Sequence, residues 1–215
     1  MNIPAQKILE ANSPGERPRR SQVYVGFGCH QGCGFCYYKD RCGEKMFEPC
    51  IVRRQIDLLL SYGIRDFEIT GGEPSECVRL REYCEYIKEK SPSSKIAVIT
   101  NGGLFASDVW DMADEVLLSY HLGRDTSGAD MAYFPRGCTY EKALKTVELA
   151  KLNHKLLRVN IVVGAFNVRA LDSIVDDVIG FAPAIVNFLP VNLFDGAKFQ
   201  YGQINYDVAG AAISR

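Results

Sequence analysis

The chain has 215 residues, of which 47% are hydrophobic and 24% charged, and its 25 basic and 26 acidic side chains give a net charge of -1. This composition predicts one globular domain with a sizeable core, and it excludes an acidic disordered chain or a protein dominated by a basic nucleic-acid-binding field. The N-terminus lacks the apolar core of a signal peptide, and the longest apolar runs have only strand length. We therefore expect a cytoplasmic protein without a membrane span.

Residues 1–21 are predicted to form a flexible N-terminal arm, because Pro14 and Pro18 interrupt its polar sequence. The basic side chains Arg17, Arg19 and Arg20 of this arm are expected to be solvated. Residues 22–190 then form the predicted core domain, and the weakly patterned residues 191–215 are expected to form a C-terminal tail that packs on this core.

Short apolar runs alternate with helical patterns along the core domain. Hydrophobic periodicity and turn residues predict strands at 23–27, 66–70, 95–100, 115–120, 157–163 and 185–190. Helices are predicted near 49–62, 76–89, 107–113, 139–153 and 168–181. This alternation is typical of an α/β fold with a parallel sheet, either curled into a partial barrel or doubly wound. Both arrangements place the active site at the carboxyl ends of the strands.

Three of the eight cysteines follow the first predicted strand in the sequence GFGCHQGCGFCYY, at Cys29, Cys33 and Cys36. Thiolates bind iron–sulfur clusters and also zinc. A structural zinc site needs four ligands, whereas three thiolates on a four-iron cluster leave one iron open for chemistry. The surrounding glycines allow the backbone to curl around a small inorganic group. A zinc module with Cys42 as the fourth ligand is the competing interpretation.

A second motif, GGEP, follows the second predicted strand and contains Gly71, Gly72 and Glu73. Glycines at a strand end let the backbone approach a ligand closely, and Glu73 adds a carboxylate at the same edge of the sheet. Polar residues of the fifth strand support a site at this edge, because Arg158, Asn160 and Val162 share one strand face.

These motifs resemble those of the radical SAM (S-adenosylmethionine) superfamily, most closely the group that contains the molybdenum-cofactor cyclase and peptide-modifying enzymes. The resemblance covers roughly residues 22–190 and includes TNGG at 100–103. It implies a partial (β/α)6 TIM-like barrel with parallel strands. It also implies a [4Fe–4S] cluster bound by Cys29, Cys33 and Cys36, with S-adenosylmethionine on the fourth iron.

The same resemblance assigns contacts to S-adenosylmethionine residue by residue. Gly71, Gly72 and Glu73 would contact the amino end of its methionine part, and Phe35 would lie near the adenine. Ser119 and Asn160 would reach its carboxylate or ribose. Reductive cleavage would yield a 5′-deoxyadenosyl radical that takes a hydrogen atom from the substrate, and flavodoxin or ferredoxin would supply the electron.

The remaining cysteines and one long loop are less defined. Cys77 and Cys84 fall on an apolar helical stripe and are predicted to be buried. Cys42 and Cys50 have no assigned role, whereas Cys138 is a candidate donor of a hydrogen atom to a substrate radical. The irregular segment 121–138 follows the fourth strand and is predicted to overhang the site and close over substrate. Its candidate catalytic residues are His121, Tyr133 and Cys138, and Arg124 and Asp125 are further candidates for binding substrate.

Three enzyme functions are compatible with these residues. The first is isomerisation, cyclisation or rearrangement of a small molecule or nucleotide. The second is modification of a peptide or a nucleic-acid base, and the third is activation of a glycyl-radical enzyme. A non-catalytic iron–sulfur or zinc-binding protein is the remote alternative.

Overall fold

The computed structural model describes residues 19–103, 107–134, 140–191 and Gly210. Six parallel strands form one sheet in the order β1 to β6, namely β1 (Arg20–Tyr24), β2 (Asp66–Thr70), β3 (Lys95–Thr100), β4 (Glu115–Ser119), β5 (Leu156–Val163) and β6 (Ile185–Pro190). Five helices connect them, namely α1 (Pro49–Ser61), α2 (Leu80–Lys90), α3 (Ser107–Met112), α4 (Tyr140–Leu152) and α5 (Leu171–Phe181). This succession of strands and helices is the predicted one.

The sheet curls into a half-barrel, as side chains from distant strands show. Arg158 on β5 lies 2.9 Å from Glu68 on β2, and Arg20 on β1 lies 2.7 Å from Glu115 on β4. Strands three positions apart are separated by about 14 Å in a flat sheet. The short contacts across the concave face therefore require curvature, and they confirm the predicted partial barrel over a doubly wound sheet.

The main hydrophobic core lies between the convex face of this sheet and the helices. On β5, Leu157, Val159, Ile161 and Val163 are buried on that face, and Arg158, Asn160 and Val162 are half-buried on the other. This alternation follows from the two-residue period of a strand. The helices bury matching stripes, and α2 contributes Cys84 with no exposed surface and Cys77 precedes it at 6% exposure. Burial of both thiols is confirmed.

Several predicted bounds are wrong, since β1 spans Arg20–Tyr24 rather than 23–27, and the helices predicted from residues 76 and 168 begin at Leu80 and Leu171. Two of these starts have a local reason. β1 begins at Arg20 rather than residue 23, because its polar first residues pair with Asp66 and Phe67 of β2. The helix predicted from residue 76 begins at Leu80, because Glu73 Oε1 accepts a hydrogen bond from Ser75 N and fixes a short turn first. In both cases polar residues lie in a strand or a turn, which hydrophobic periodicity alone does not predict.

The predicted arm and tail fall largely outside the described part of the chain. Of the arm, only Arg19, Arg20 and Ser21 are described, and Arg20 is paired with Glu115 inside the half-barrel. The prediction that Arg20 is a solvated arm residue is therefore wrong. Of the predicted tail, the structure describes only Val191 and Gly210.

Candidate functional site

The loop that carries the three clustered thiols packs directly against the glycine motif that follows β2. Gly72 N donates a hydrogen bond to Gly26 O at 3.0 Å, and Glu73 N donates to Gly28 O at 2.9 Å. A Cβ atom on Gly72 would lie 1.9 Å from Gly28 O, and one on Gly71 would lie 2.3 Å from Gly26 O. Only glycine permits this approach, so the two motifs form one compact unit at the carboxyl ends of β1 and β2.

The three thiols of this loop are half-buried and close enough to influence one another. Burial raises the pKa of Cys29, Cys33 and Cys36, and that of Cys33 reaches about 12, with neighbouring thiols adding to the effect. Burial thus disfavours the thiolate form of these side chains, and binding iron as thiolates must release their protons. Three thiols on one glycine-rich loop fit the ligand chemistry of an iron–sulfur cluster.

Cys42 lies beside these thiols, whereas the other free cysteines lie elsewhere. Its carbonyl oxygen accepts a hydrogen bond from Cys29 N at 3.0 Å, and its Sγ donates to Tyr38 O at 3.3 Å. Cys29 and Cys42 both line a hollow of about 640 Å³. Cys50 is exposed in the first turn of α1, and Cys138 lies outside the described residues.

Glu73 is buried to 1% exposure and its carboxylate is held by three hydrogen bonds. Oε1 accepts from Ser75 N at 3.0 Å and Thr100 Oγ1 at 2.8 Å, and Oε2 accepts from Asn101 N at 2.7 Å. Burial raises the pKa of this carboxyl, and the hydrogen bonds oppose that effect. The carboxylate is therefore fixed in one orientation between the ends of β2 and β3.

Asn101 connects that carboxylate to the thiol loop, a link that the sequence analysis missed. Its side-chain Nδ2 donates to Cys29 Sγ at 3.7 Å while its backbone N–H bonds to Glu73. Its position in TNGG, directly after β3, was the available signal. Amide donors to thiolate sulfur are among the groups that tune iron–sulfur sites.

Phe35 lies in a second, smaller hydrophobic cluster beside the thiol loop. Its ring stacks on Phe166 with centroids 4.8 Å apart, and it meets the rings of His121 and Phe134 edge-on at 5.0 and 5.6 Å. Tyr133 stacks on the same Phe166 ring at 5.3 Å. The structure thus brings Phe35, His121 and Tyr133 together in one cluster.

His121 is neutral in this environment. Protein atoms surround most of its imidazole although part of the residue stays accessible, and this burial lowers its pKa to about 4. Nδ1 accepts a hydrogen bond from Val162 N at 3.0 Å, which places the ring proton on Nε2. His121 can therefore donate a hydrogen bond through Nε2, but it does not act as an imidazolium near neutral pH.

Ser119, Asn160 and Asn187 form a row across the concave face, because β4, β5 and β6 pair in register at these positions. Asn187 Nδ2 donates to Asn160 Oδ1 at 2.8 Å. Asn187 was missed by the sequence analysis, although a lone polar residue in the apolar sixth strand was the signal. Its amide fixes the orientation of Asn160 at the carboxyl side of the half-barrel.

Arg158 does not belong to this row, and its assignment to the site is wrong. It binds Glu68 and Glu115 towards the amino ends of the strands, where Arg20 completes the group. The side chains of Arg158, Glu68 and Glu115 are only 13–15% exposed. Their charges are satisfied mainly by one another, which is typical of a structural ion cluster.

The described part of the long loop, residues 121–134, is anchored at several points. Tyr133 O accepts from Gly34 N at 2.9 Å, and Asp130 N donates to Phe166 O at 2.7 Å. Nearer its start, Arg124 N donates to Asp177 Oδ2 at 2.6 Å. The loop therefore lies against one side of the thiol loop, while Arg124 pairs with Asp177 of α5 and the backbone N–H of Asp125 donates to Ser173 Oγ of the same helix.

The sequence model of the Radical SAM superfamily matches residues 23–178. A probable GTP 3′,8-cyclase of Methanococcus aeolicus is 26% identical over 171 residues, covering 76% of this chain and 57% of the relative. A GTP 3′,8-cyclase of Clostridium perfringens is 24% identical over 140 residues, covering 63% of this chain and 43% of the relative. The chain thus spans about half the length of these relatives.

Solved structures show the same fold. Streptococcus suis SuiB bound to S-adenosylmethionine superimposes with a TM-score of 0.73 and 16% identity, covering 92% of this chain and 47% of SuiB. The structure described as native anSMEcpe with bound AdoMet and Cp18Cys peptide gives a TM-score of 0.62 at 18% identity, covering 88% and 55% of the two chains.

The described residues contain no helix that combines the length and apolar content needed to cross a bilayer. The superfamily match spans more than half of the chain and includes both the thiol loop and the glycine motif. It favours an iron–sulfur cluster over the alternative zinc module. The chain therefore belongs to the Radical SAM superfamily, whose enzymes use a [4Fe–4S] cluster and S-adenosylmethionine.

Proposed function

We propose that the chain binds a [4Fe–4S] cluster through Cys29, Cys33 and Cys36 and uses S-adenosylmethionine to remove a hydrogen atom from a substrate. The observation that carries this proposal is the close packing of two loops, in which Gly72 and Glu73 donate backbone hydrogen bonds to the thiol loop. This packing brings a three-thiol ligand set and a buried carboxylate to the same end of the half-barrel. When bound, the cluster and S-adenosylmethionine supply a 5′-deoxyadenosyl radical.

The residues around the thiols have distinct proposed roles. Gly71 and Gly72 allow close approach of the methionine part, and the fixed carboxylate of Glu73 pairs with its ammonium group. Ser119 and Asn160 contact the carboxylate or ribose from the concave face, with Asn160 oriented by Asn187. Phe35 lies near the adenine.

The aromatic cluster around Phe166 excludes water from the side of the site covered by residues 121–134. His121 holds its proton on Nε2, which supports a proposed hydrogen bond from His121 to substrate, and Tyr133 stacks on Phe166 in the same cluster. Exclusion of water protects a reactive radical from side reactions. Cys138 is retained as a proposed hydrogen-atom donor, and it lies outside the described residues.

The substrate class we favour is a nucleotide or other small molecule that undergoes radical rearrangement. The curated relatives named above are GTP 3′,8-cyclases, and they match up to three quarters of this chain. We place the reaction in the cytoplasm, where flavodoxin or ferredoxin supplies the electron. Activation of a glycyl-radical enzyme is the alternative, and it predicts a backbone radical on a protein partner.

Modification of a peptide is a second candidate, and the open sheet favours it. In the described residues β6 pairs with β5 alone, so β1 and β6 leave the half-barrel unclosed on one side. Such an opening can admit an extended peptide. The similarity of fold to SuiB and anSMEcpe is consistent with this possibility without specifying the substrate.

The decisive experiment measures 5′-deoxyadenosine by mass spectrometry after anaerobic reduction of the cluster-loaded protein with S-adenosylmethionine. Deuterated GTP and deuterated peptides are added in separate reactions. We expect 5′-deoxyadenosine to form in every reaction and deuterium to enter it only with the true substrate. A fully loaded, reduced protein that forms no 5′-deoxyadenosine would refute the proposal, and the Cys33→Ala protein provides the background.

A further inference from the structure

Gln31 is a buried amide in the middle of the thiol loop, between Cys29 and Cys33. It is only 3% exposed, and its Nε2 has no hydrogen-bond partner among the described residues. A buried amide donor without an acceptor is costly, and native proteins seldom leave one unpaired. This orphaned donor lies beside the proposed cluster ligands, which suggests that its acceptor is supplied there.

The other atom of the same amide already contacts a ligand thiol. Cys33 Sγ lies 3.5 Å from Gln31 Oε1 and donates a hydrogen bond to it. This contact uses the proton of the thiol. The amide is thus oriented for a thiol and not for a thiolate.

Binding a cluster reverses the hydrogen-bonding requirement at Cys33. A metal ligand is a thiolate, which accepts hydrogen bonds and has no proton to donate. The carbonyl Oε1 would then face an anionic sulfur, while Nε2 stayed buried without an acceptor. Rotating the amide by about 180° exchanges the oxygen and nitrogen with almost no change of shape.

We infer that Gln31 donates an N–H···S hydrogen bond to the Cys33 thiolate in the cluster-loaded protein and raises the reduction potential of the cluster. The exchange satisfies the orphaned donor and removes the oxygen–thiolate repulsion in one step. A contact of the same kind is already present at Cys29, where Asn101 Nδ2 lies 3.7 Å from Sγ. Two of the three ligand sulfurs would then accept side-chain amide hydrogen bonds.

The effect on the cluster follows from charge. Reduction adds one electron, which makes the ligand sulfurs stronger acceptors, so an N–H donor stabilises the reduced form more than the oxidised form. Losing this hydrogen bond should make reduction about three- to tenfold less favourable. For a one-electron couple this corresponds to a midpoint potential lower by about 30–60 mV. The inference depends on Cys33 being a cluster ligand, as proposed above.

The test is an anaerobic redox titration monitored by electron paramagnetic resonance on the cluster-loaded protein without S-adenosylmethionine. Gln31→Met preserves length and removes the donor, and Gln31→Glu removes the donor and adds charge. We expect the midpoint potential to fall in Gln31→Met and to fall further in Gln31→Glu. An unchanged potential in a Gln31→Met protein with full iron content would overturn the inference.

Gln55→Met is the matched control. Gln55 holds Tyr24 through two backbone hydrogen bonds, at 3.1 Å from Tyr24 N and 2.9 Å to Tyr24 O, so its loss should destabilise β1. The midpoint potential of the cluster in Gln55→Met should equal that of the unaltered protein, because Gln55 donates to no ligand sulfur. A shift equal to that of Gln31→Met would show that loosening of the fold explains both, and would overturn the specific role of Gln31.

A second measurement avoids substitution altogether and decides the matter if Gln31→Met fails to hold iron. Protein containing 15N-labelled glutamine side chains is loaded with the cluster, reduced and studied by pulsed electron paramagnetic resonance. We expect a 15N coupling to the cluster, and its absence would overturn the inference. The Cys33→Ala protein tests the ligand assignment separately. If Cys33 is not a ligand, that protein retains its cluster.

Discussion

The polar groups at the two ends of the half-barrel differ in how completely they are paired. Towards the amino ends of the strands, Arg20 binds both carboxylate oxygens of Glu115 at 2.7 and 2.8 Å, and Arg158 bridges Glu115 and Glu68. Towards the carboxyl ends, the Cys33 thiol lies 3.5 Å from Oε1 of Gln31, whose amide nitrogen has no partner among the residues described.

We interpret the ion cluster as a group of side chains that stabilises the fold, and the thiol loop as the proposed site of ligand binding. The four charges of the ion cluster neutralise one another within the protein, although the buried Arg158 Nε has no partner among the described residues. The thiol loop, in contrast, holds a buried amide nitrogen without a described partner beside the proposed cluster ligands. Conservative changes at the two ends should therefore affect different properties, either stability or cofactor chemistry.

The largest effect is expected at the thiols. Changing Cys29, Cys33 or Cys36 to Ala should abolish both the cluster and the formation of 5′-deoxyadenosine, because each removes one of three ligands. Iron and sulfide analysis together with mass spectrometry measures both. The control is Cys84→Ala on α2, which should keep the cluster and lose about 1–2 kcal/mol of stability. Cleavage retained in a ligand variant would contradict the assignment.

The opposite behaviour is expected at the ion cluster. Arg158→Met should lower the free energy of unfolding by about 3 kcal/mol, since it leaves Glu68 and Glu115 partly buried with less compensating charge. Cluster content and S-adenosylmethionine cleavage per folded molecule should be unchanged. Lys95→Met is the control, because its ion pair with Asp114 is exposed and should contribute less than about 1 kcal/mol. Chemical denaturation measures the free energy of unfolding of both variants. Loss of iron in Arg158→Met would contradict the separation between the ion cluster and the proposed cofactor site.

A smaller effect is expected at the carboxylate between the two loops. Glu73→Ala should weaken S-adenosylmethionine binding about tenfold while the cluster stays in place, because a charge-assisted contact to the ammonium is lost. Equilibrium binding to the cluster-loaded protein provides the measurement. Glu82→Ala on α2 is the control, since Glu82 pairs with Arg53 and Arg79 on the surface. Equal affinities in the two variants would remove Glu73 from the binding site.

The smallest expected effect concerns His121 and pH. Its folded pKa of about 4 lies below the unfolded value of about 6.5, so between these values the unfolded chain binds a proton that the folded chain does not. Stability is therefore lost as the pH falls. When the pH falls from about 7.5 to 5.5, the free energy of unfolding should decrease by about 1 kcal/mol more in the unaltered protein than in His121→Asn. The asparagine retains an acceptor for Val162 N. Chemical denaturation of both proteins at both pH values measures this difference. An equal decrease in the two proteins would contradict the prediction.

Much of the fold and part of the candidate site follow from local sequence patterns. The strands 66–70, 95–100 and 185–190 were predicted at their observed bounds because short apolar runs and flanking turn residues are local properties. The thiol loop and the glycine motif were likewise found from short spacings after strands. By the parallel-sheet rule, both belong at the same end.

The sequence by itself determined the succession of strands and helices along the chain, the glycine motif and the thiol set, because each depends on short spacings between neighbours in the chain. Only the tertiary structure decided which polar groups are satisfied. Arg158 was assigned to the site from its strand face, but the curl of the sheet brings Glu68 and Glu115 to it at 2.9 and 3.1 Å. Gln31 was unremarked for the converse reason, since burial and the lack of a partner are properties of three-dimensional packing and leave no trace in a sequence pattern.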